Sequence, residues 1–283
     1  MEALYYTKQD NDTVMCQLCP HHCHLLPGVS GACRCRYNDH GLLTTLNYGQ
    51  CTSAAMDPIE KKPLRRFHPG SLILSLGSWG CNLACSFCQN WEISQCHSSC
   101  HTITPQEAAA LAIQEKEHGN IGLAYTYNEP VVWYEFIRQT APLIHEADLV
   151  NVMVTNGYIE EKPLQGLLPF IDAWNIDLKS FQEDYYRSIC HGSLSPVMRT
   201  ISLAAAVSHV EITTLIVPGK NDSIDDMDRE AAWLASLRPD IPLHITRYFP
   251  RYHMTTAATS VNTLYALADK AKQYLRYVYI GNI

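Results

Sequence analysis

Cys81, Cys85 and Cys88 place three thiols within eight residues, in the stretch GSWGCNLACSFCQN. Three is one short of the ligand set of a closed zinc site and one more than a disulfide needs. Cubane iron–sulfur clusters are held by cysteine thiolates, usually four. If only three are supplied, one iron keeps an open coordination position, as a catalytic zinc ion keeps one for its substrate. The three-residue and two-residue gaps let a single loop wrap three corners of a cube. Zinc with His97 as a fourth ligand is the competing reading.

A second group, Cys16, Cys19, Cys23 and Cys33, has the spacing C-x2-C-x3-C-x9-C, with Cys35 as a further thiol and His21, His22 and His24 nearby. Four sulfur ligands suit a structural zinc ion or an auxiliary iron–sulfur cluster, either of which would staple a segment poor in helical signals. Cys51, Cys96, Cys100 and Cys190 are scattered and read as buried or incidental thiols.

Short polar segments recur downstream: TYNEP (126–130), VTNGY (154–158), IDLKS (176–180) and IVPG (216–219). Thr-Asn-Gly and Val-Pro-Gly are also ordinary turn chemistry, and Asp177 with Lys179 could be a simple ion pair. Arg247 could hold a carboxylate or phosphate, or pair with an acid in a sheet wall. Odd spacing puts His244 and Arg247 on opposite faces of a regular strand. The stretch EKKPLRRFHPG (60–70) carries four basic residues and reads as a solvated loop or a contact for an acidic partner.

The C-x3-C-x2-C loop, with Phe87 before its last cysteine, resembles the signature of radical S-adenosylmethionine (SAM) enzymes, oxidoreductases and lyases in type. That resemblance implies a 4Fe–4S cluster on Cys81, Cys85 and Cys88 whose open iron binds the amino and carboxylate groups of SAM. The four later segments resemble those of pyruvate formate-lyase activases. They imply SAM contacts from Asn128 and Glu129, Thr155 and Asn156, Asp177 and Lys179, and Val217, with Arg247 a further candidate. Glu129 would receive the SAM ammonium, Asp177 and Lys179 would reach the methionine and ribose, and Val217 would lie along adenine. Tyr127 and Asn128 stand where relatives carry glycines.

Nearly the whole chain is similar to the radical SAM member of the AmmeMemoRadiSam system, through CQLCPHHC, LNYGQ, MDPIEKKPLRRFHPGS, NIDLKSFQEDYYRSIC and PLHITRYFPRYHM. This similarity implies Memo-type and AMME-type partner proteins and an electron donor such as flavodoxin or ferredoxin. A glycyl-radical activase is the alternative. Cys35 and Cys51 stand where such relatives more often have an apolar residue.

Positioning these residues takes a repeated scaffold. SLILSLG (71–77), IGLAYTY (121–127), LVNVMVT (149–155), AWNIDL (173–178), EITTLIV (211–217), LHITRYF (243–249) and YVYIG (277–281) read as strands, being rich in Val, Ile, Thr and Tyr. Helical stretches separate them, among them TPQEAAALAIQEKEHG, with Thr104 as N-cap, Pro105 at N1 and Glu107 at N3. Such alternation predicts right-handed βαβ units, a parallel sheet and a partial (β/α) TIM-type barrel with its site at the C-terminal strand ends. A doubly wound sheet fits the periodicity as well, but no glycine-rich dinucleotide fingerprint follows the first strand. Residues 1–70 read as a cysteine-rich metal-binding module and 71–283 as the barrel.

With 21 basic and 28 acidic residues the net charge is −7, and no long basic run favours nucleic acid. The start lacks a secretory h-region, and no apolar run approaches the ~20 residues of a membrane span. Twelve cysteines in such a chain read as cytoplasmic thiols and metal ligands before disulfides.

Overall fold

The computed structural model describes all 283 residues. Eight strands form its main sheet: β1 (Ser53–Pro58), β2 (Leu72–Gly77), β3 (Asn120–Thr126), β4 (Val150–Thr155), β5 (Ala173–Asp177), β6 (His209–Ile216), β7 (Leu243–Arg247) and β8 (Val278–Gly281). They lie side by side in chain order, parallel from β2 to β8, with β1 antiparallel along one edge. All seven strands read from the sequence are present.

β1 was not foreseen, because SAAMDP lacks β-branched and aromatic residues. It pairs with β2 along its full length, from Ser53↔Gly77 to Pro58↔Leu72, and an edge position tolerates Pro58. This strand precedes residue 70 yet belongs to the sheet.

Strand order settles the architecture. A doubly wound sheet needs a reversal of order, and here there is none. Right-handed crossovers advancing in one direction put every helix on one face, so the other face becomes the inside of a partial barrel. The longer helices are α1 (Pro105–Gln114), α2 (Tyr134–Glu146), α3 (Glu161–Leu167), α4 (Leu194–Ala205), α5 (Ile224–Leu237) and α6 (Val261–Ala271). α1 starts with the expected capping box: Glu107 N donates to Thr104 Oγ1 and Thr104 N donates to Glu107 Oε2. None of the helices is long and apolar enough to cross a membrane.

Alternation along the strands sorts residues between two cores. Leu74, Leu76, Leu123, Tyr125, Trp174, Ile176, Ile212 and Ile245 point to the helices and join the large core. Ile73, Ala124, Val152 and Ala173 point inward and meet Ile59 and Leu64 of the segment between β1 and β2. That segment threads the barrel as a plug. Pro63 O accepts from Asn175 Nδ2 at 2.9 Å, and the buried Glu211 carboxylate accepts from the backbone N–H groups of Arg65 and Arg66 at 3.0 and 2.7 Å.

His209 and His244 also bond Glu211, while the Arg65 and Arg66 guanidiniums lie over Tyr279 and Tyr277. Burial alone would raise the Glu211 carboxyl, but the His209 and His244 hydrogen bonds and the two amides overrule it and hold it at about 2. The solvated loop expected over 60–70 holds for Lys61, Arg65 and Arg66, which are exposed, and fails at Lys62 and Leu64, which are buried at 2% and 0% exposure.

Residues before β1 form short antiparallel pieces: Tyr6–Lys8, Val14–Cys16 and His24–Leu25 in one sheet, and Arg36–Asp39 with Leu42–Thr45 in a hairpin. Val14, Leu18, Leu25 and Leu43 pack into the same core as the helices. Arg36 and Glu135 of α2 form a buried ion pair at 2.5 Å across this junction.

Candidate functional site

A cavity of about 410 Å³ opens at the C-terminal strand ends. Register explains why one mouth collects so many motifs: Thr126 pairs with Gly77, Thr155 with Ile176, and Asp177 with Thr213, so the strands finish near one level. Cys81, Cys85, Phe87, Cys88, Asn128, Glu129, Thr155, Asn156, Asp177 and Lys179 all line it.

The cysteine loop is braced from several sides. Asn128 Oδ1 accepts from Ser78 N at 3.0 Å and its Nδ2 donates to Gly80 O at 3.0 Å. Asn82 Nδ2 donates to Tyr158 O at 2.6 Å, and Asn156 Nδ2 donates to Asn82 Oδ1 at 2.9 Å. The amide of Ser86 donates to Ile189 O and that of Ala84 to Cys190 O. These acceptors lie at the end of a π-helical turn, Tyr186–Cys190, and hold the loop on both sides of Cys85. The N-terminal segment adds His21 Nε2 against Asn82 O at 2.6 Å and Arg34 on Gln95 at 2.7 Å. Cys35 donates to Trp79 O at 3.2 Å, and a Cβ at Gly80 would meet the Cys35 sulfur at 2.0 Å, so only glycine fits there. Cys35 is a brace for the loop.

Glu129 is 2% exposed and accepts from three local donors. Its Oε1 accepts from Thr155 Oγ1 at 2.6 Å and Val131 N at 2.9 Å, and its Oε2 accepts from Asn156 N at 2.8 Å. Burial pushes its carboxyl up to about 7 against the pull of these donors. Lys179 Nζ donates to Asp177 at 2.5 Å. Burial lowers the Lys179 ammonium, but the charge of Asp177 and its hydrogen bond outweigh this and leave it well above its ordinary value.

Two predicted contacts lie outside the cavity. Arg247 takes an outward position on β7, where Nε donates to Thr259 O at 2.8 Å and the guanidinium lies over Phe249. Val217 is fully buried just beyond β6, in a turn where its N–H donates to Asn221 Oδ1 at 2.7 Å. His97 leans on the Trp79 ring at 4.6 Å and does not face the three thiols. Residues missed from the sequence include Lys61, Lys62 and Pro63 of the plug and the inward Thr213, Leu215 and Thr246. The strand residues carried a signal in their alternation; the plug carried none.

The donor set fits a cluster with one open position. Three thiols and no histidine line the cavity, so a closed zinc site has no fourth sulfur or nitrogen ligand here. Burial first, then neighbouring negative charge, keeps Cys81 and Cys88 protonated as free thiols, while a Cys190 hydrogen bond and then burial do so for Cys85. Bound iron would supply the missing positive charge.

Cys16, Cys19, Cys23 and Cys33 line a second, small cavity with His21, His22 and Arg36, with room of about 10 Å³, roughly one water-sized guest. Cys35 is not among its walls.

The radical SAM superfamily profile matches residues 78–234. An uncharacterized protein of Methanocaldococcus jannaschii is 42% identical over all of this chain and 85% of its own length. The benzylsuccinate synthase activating enzyme of Thauera aromatica is 25% identical over 40% of this chain and 35% of its own. The crystal structure of SuiB from Streptococcus suis bound to S-adenosylmethionine superposes with a TM-score of 0.59 over 72% of this chain and 48% of SuiB, at 13% identity.

Proposed function

The chain belongs to the radical SAM superfamily, and from that premise we propose that it is the radical SAM enzyme of an AmmeMemoRadiSam-type system, acting with Memo-type and AMME-type partners. Superfamily membership makes its cofactors a 4Fe–4S cluster and SAM. The observation that carries the site reading is the meeting of Cys81, Cys85 and Cys88 with Glu129, Thr155, Asn156, Asp177 and Lys179 around one cavity.

When bound, the cluster supplies the electron that splits the SAM sulfonium into methionine and a 5′-deoxyadenosyl radical. The chain's own residues set the stage. Cys81, Cys85 and Cys88 would hold three irons and leave the fourth without a protein ligand. Lys179, fixed by Asp177, presents a cation for the SAM carboxylate or ribose hydroxyls. Thr155 and the Asn156 amide anchor Glu129 so that its remaining lone pairs face the SAM ammonium. The plug packs Ile59 and Leu64 against Ile73, Ala124, Val152 and Ala173 of the barrel's inner face.

An oxidoreductase or lyase outcome, a reduced flavodoxin or ferredoxin as electron donor, and a cytoplasmic setting belong to the same proposal. The quartet Cys16, Cys19, Cys23 and Cys33 belongs to it as a structural zinc site. One water-sized guest space suits a single ion better than an eight-atom cubane, and binding would draw the thiols inward. The similarity to the Thauera activating enzyme favours a second reading, in which the substrate is a backbone glycine of a partner enzyme. Electron paramagnetic resonance of the chain incubated with SAM, reductant and its co-purified partners separates the two. A glycyl radical on a partner supports the activase; its absence alongside turnover of SAM supports the first reading.

A further inference from the structure

We infer that the floor of the cavity is a subsite for an anionic oxygen group of the substrate, a carboxylate or a phosphate, gripped by Lys62 with Lys61 beside it. The inference rests on the radical SAM reading for its claim that a substrate enters this cavity, and it names the chemistry that substrate must carry.

Lys61 and Lys62 line the cavity from the plug, an element outside every SAM-contacting segment. Both reach a single carboxylate, Asp57: Lys62 Nζ donates to Oδ2 at 2.8 Å and Lys61 Nζ to Oδ1 at 3.2 Å. Asp57 is not among the cavity-lining residues, so its charge lies behind the two cations. Two ammonium groups against one carboxylate leave a surplus positive charge facing the space. The other acids of the cavity are committed elsewhere, Asp177 to Lys179 and Glu129 to Thr155, Val131 and Asn156.

Lys62 is 2% exposed, and Asp57 is its one hydrogen-bond acceptor. An ammonium has three N–H donors. The Tyr127 ring, 4.6 Å from Nζ, faces another part of the group, which leaves donor capacity without an acceptor in a buried setting. Tyr127 is itself fixed, with φ at 72° and its hydroxyl donating to Asp57 Oδ2 at 2.8 Å. A Cβ on Gly77 would come within 2.8 Å of that ring, so the glycine makes its position possible. Pro63 and the buried Leu64 lock the backbone after Lys62. The cation is therefore pre-organised, and a ligand would not bear the usual entropy of ordering a lysine.

The test uses the cluster-loaded protein saturated with SAM, at low ionic strength, titrated in parallel with inorganic phosphate followed by 31P line broadening and with 13C-labelled acetate followed by 13C line broadening. Saturable binding of at least one anion is expected, weakened about tenfold by Lys62→Gln and about twofold by Lys61→Gln, and unchanged by Lys8→Gln at an exposed site far from the plug. Phosphate alone would assign a phosphorylated substrate, and acetate alone a carboxylate. Absence of saturable binding by either anion would overturn the inference. Equal weakening by all three substitutions, or by none, would mean an adventitious ion only and would also overturn it. If Lys62→Gln does not fold, the Lys61→Gln result against Lys8→Gln decides. Formation of 5′-deoxyadenosine by the wild-type protein without added anion is measured separately. Its failure would sink the radical SAM reading while leaving the anion result standing.

Discussion

Cys85 sits between two amides tied to the π-helical turn, with Cys190 at its side, so its removal should leave the loop's backbone in place. Cys85→Ala is expected to lower bound iron and abolish 5′-deoxyadenosine formation while the far-ultraviolet circular dichroism spectrum stays as in the wild type. Retained activity at wild-type iron content would contradict the assignment. For Glu129, replacement by Gln puts an amide N–H where a carboxylate oxygen received a donor. At least one of Thr155, Val131 and Asn156 then loses its acceptor, at a cost of about 1–3 kcal/mol. SAM affinity, read by equilibrium dialysis, should fall about tenfold as the negative charge is lost. The cysteines and Glu129 were legible because short motifs at strand ends fix their chemistry within a few residues. Arg247 and Val217 were less so. Alternation points the Arg247 side chain toward the helices, and a local turn seals Val217 in, and both depend on where a strand stops.

The plug is the element whose role was least readable. Its charged string KKPLRR has the pattern of a solvated loop, and what fastens its backbone lies about 145 residues away in Glu211. Strands rich in Val, Ile and Tyr announced themselves, and the capping box announced α1, because those signals are local. Long-range pairing by a buried carboxylate has no local signature. Replacing Glu211 with Ala strips the acceptor from two amides and two histidines, and should destabilise the fold by about 3–5 kcal/mol in urea unfolding. Glu211 and Asp57 both titrate at about 2 in the folded protein. For Asp57, burial pushes upward and the bonds from Lys62, Tyr127 and Lys61 overcome it. Both folded values lie below the unfolded ones, near 4, so the unfolded chain binds the extra protons as pH falls. Their stabilisation is complete above about pH 5 and is lost between about pH 4 and 2. Glu211→Gln should therefore unfold with a shallower dependence on pH over that range than the wild type. An unchanged slope would contradict the role given to this carboxylate.

Across the whole molecule, seven parallel strands in chain order give their C-terminal ends to one mouth, and the N-terminal segment clasps the loop that the mouth depends on. That division of labour predicts different fates for the two cysteine groups. Metal analysis of the protein is expected to find one zinc per chain besides the cluster iron. Cys16→Ala should lose the zinc and lower the melting temperature by several degrees, as a loss of about 2 kcal/mol would. A quartet found loaded with iron and sulfide would contradict the zinc assignment. The seven parallel strands were legible from their alternation with helices, but the order that separates a partial barrel from a doubly wound sheet was not, nor was the joining of the N-terminal segment to the main core, since the Arg36–Glu135 pair that pins it spans two distant segments. Three thiols and an iron position left without a protein ligand would make this cavity a site for SAM cleavage. That role is tested most directly by reconstituting the protein anaerobically with iron and sulfide, reducing it with dithionite, and measuring 5′-deoxyadenosine and methionine formed from SAM. The wild type should form both products in equal amounts and Cys85→Ala neither; a reduced protein with a full cluster that leaves SAM intact would overturn this assignment.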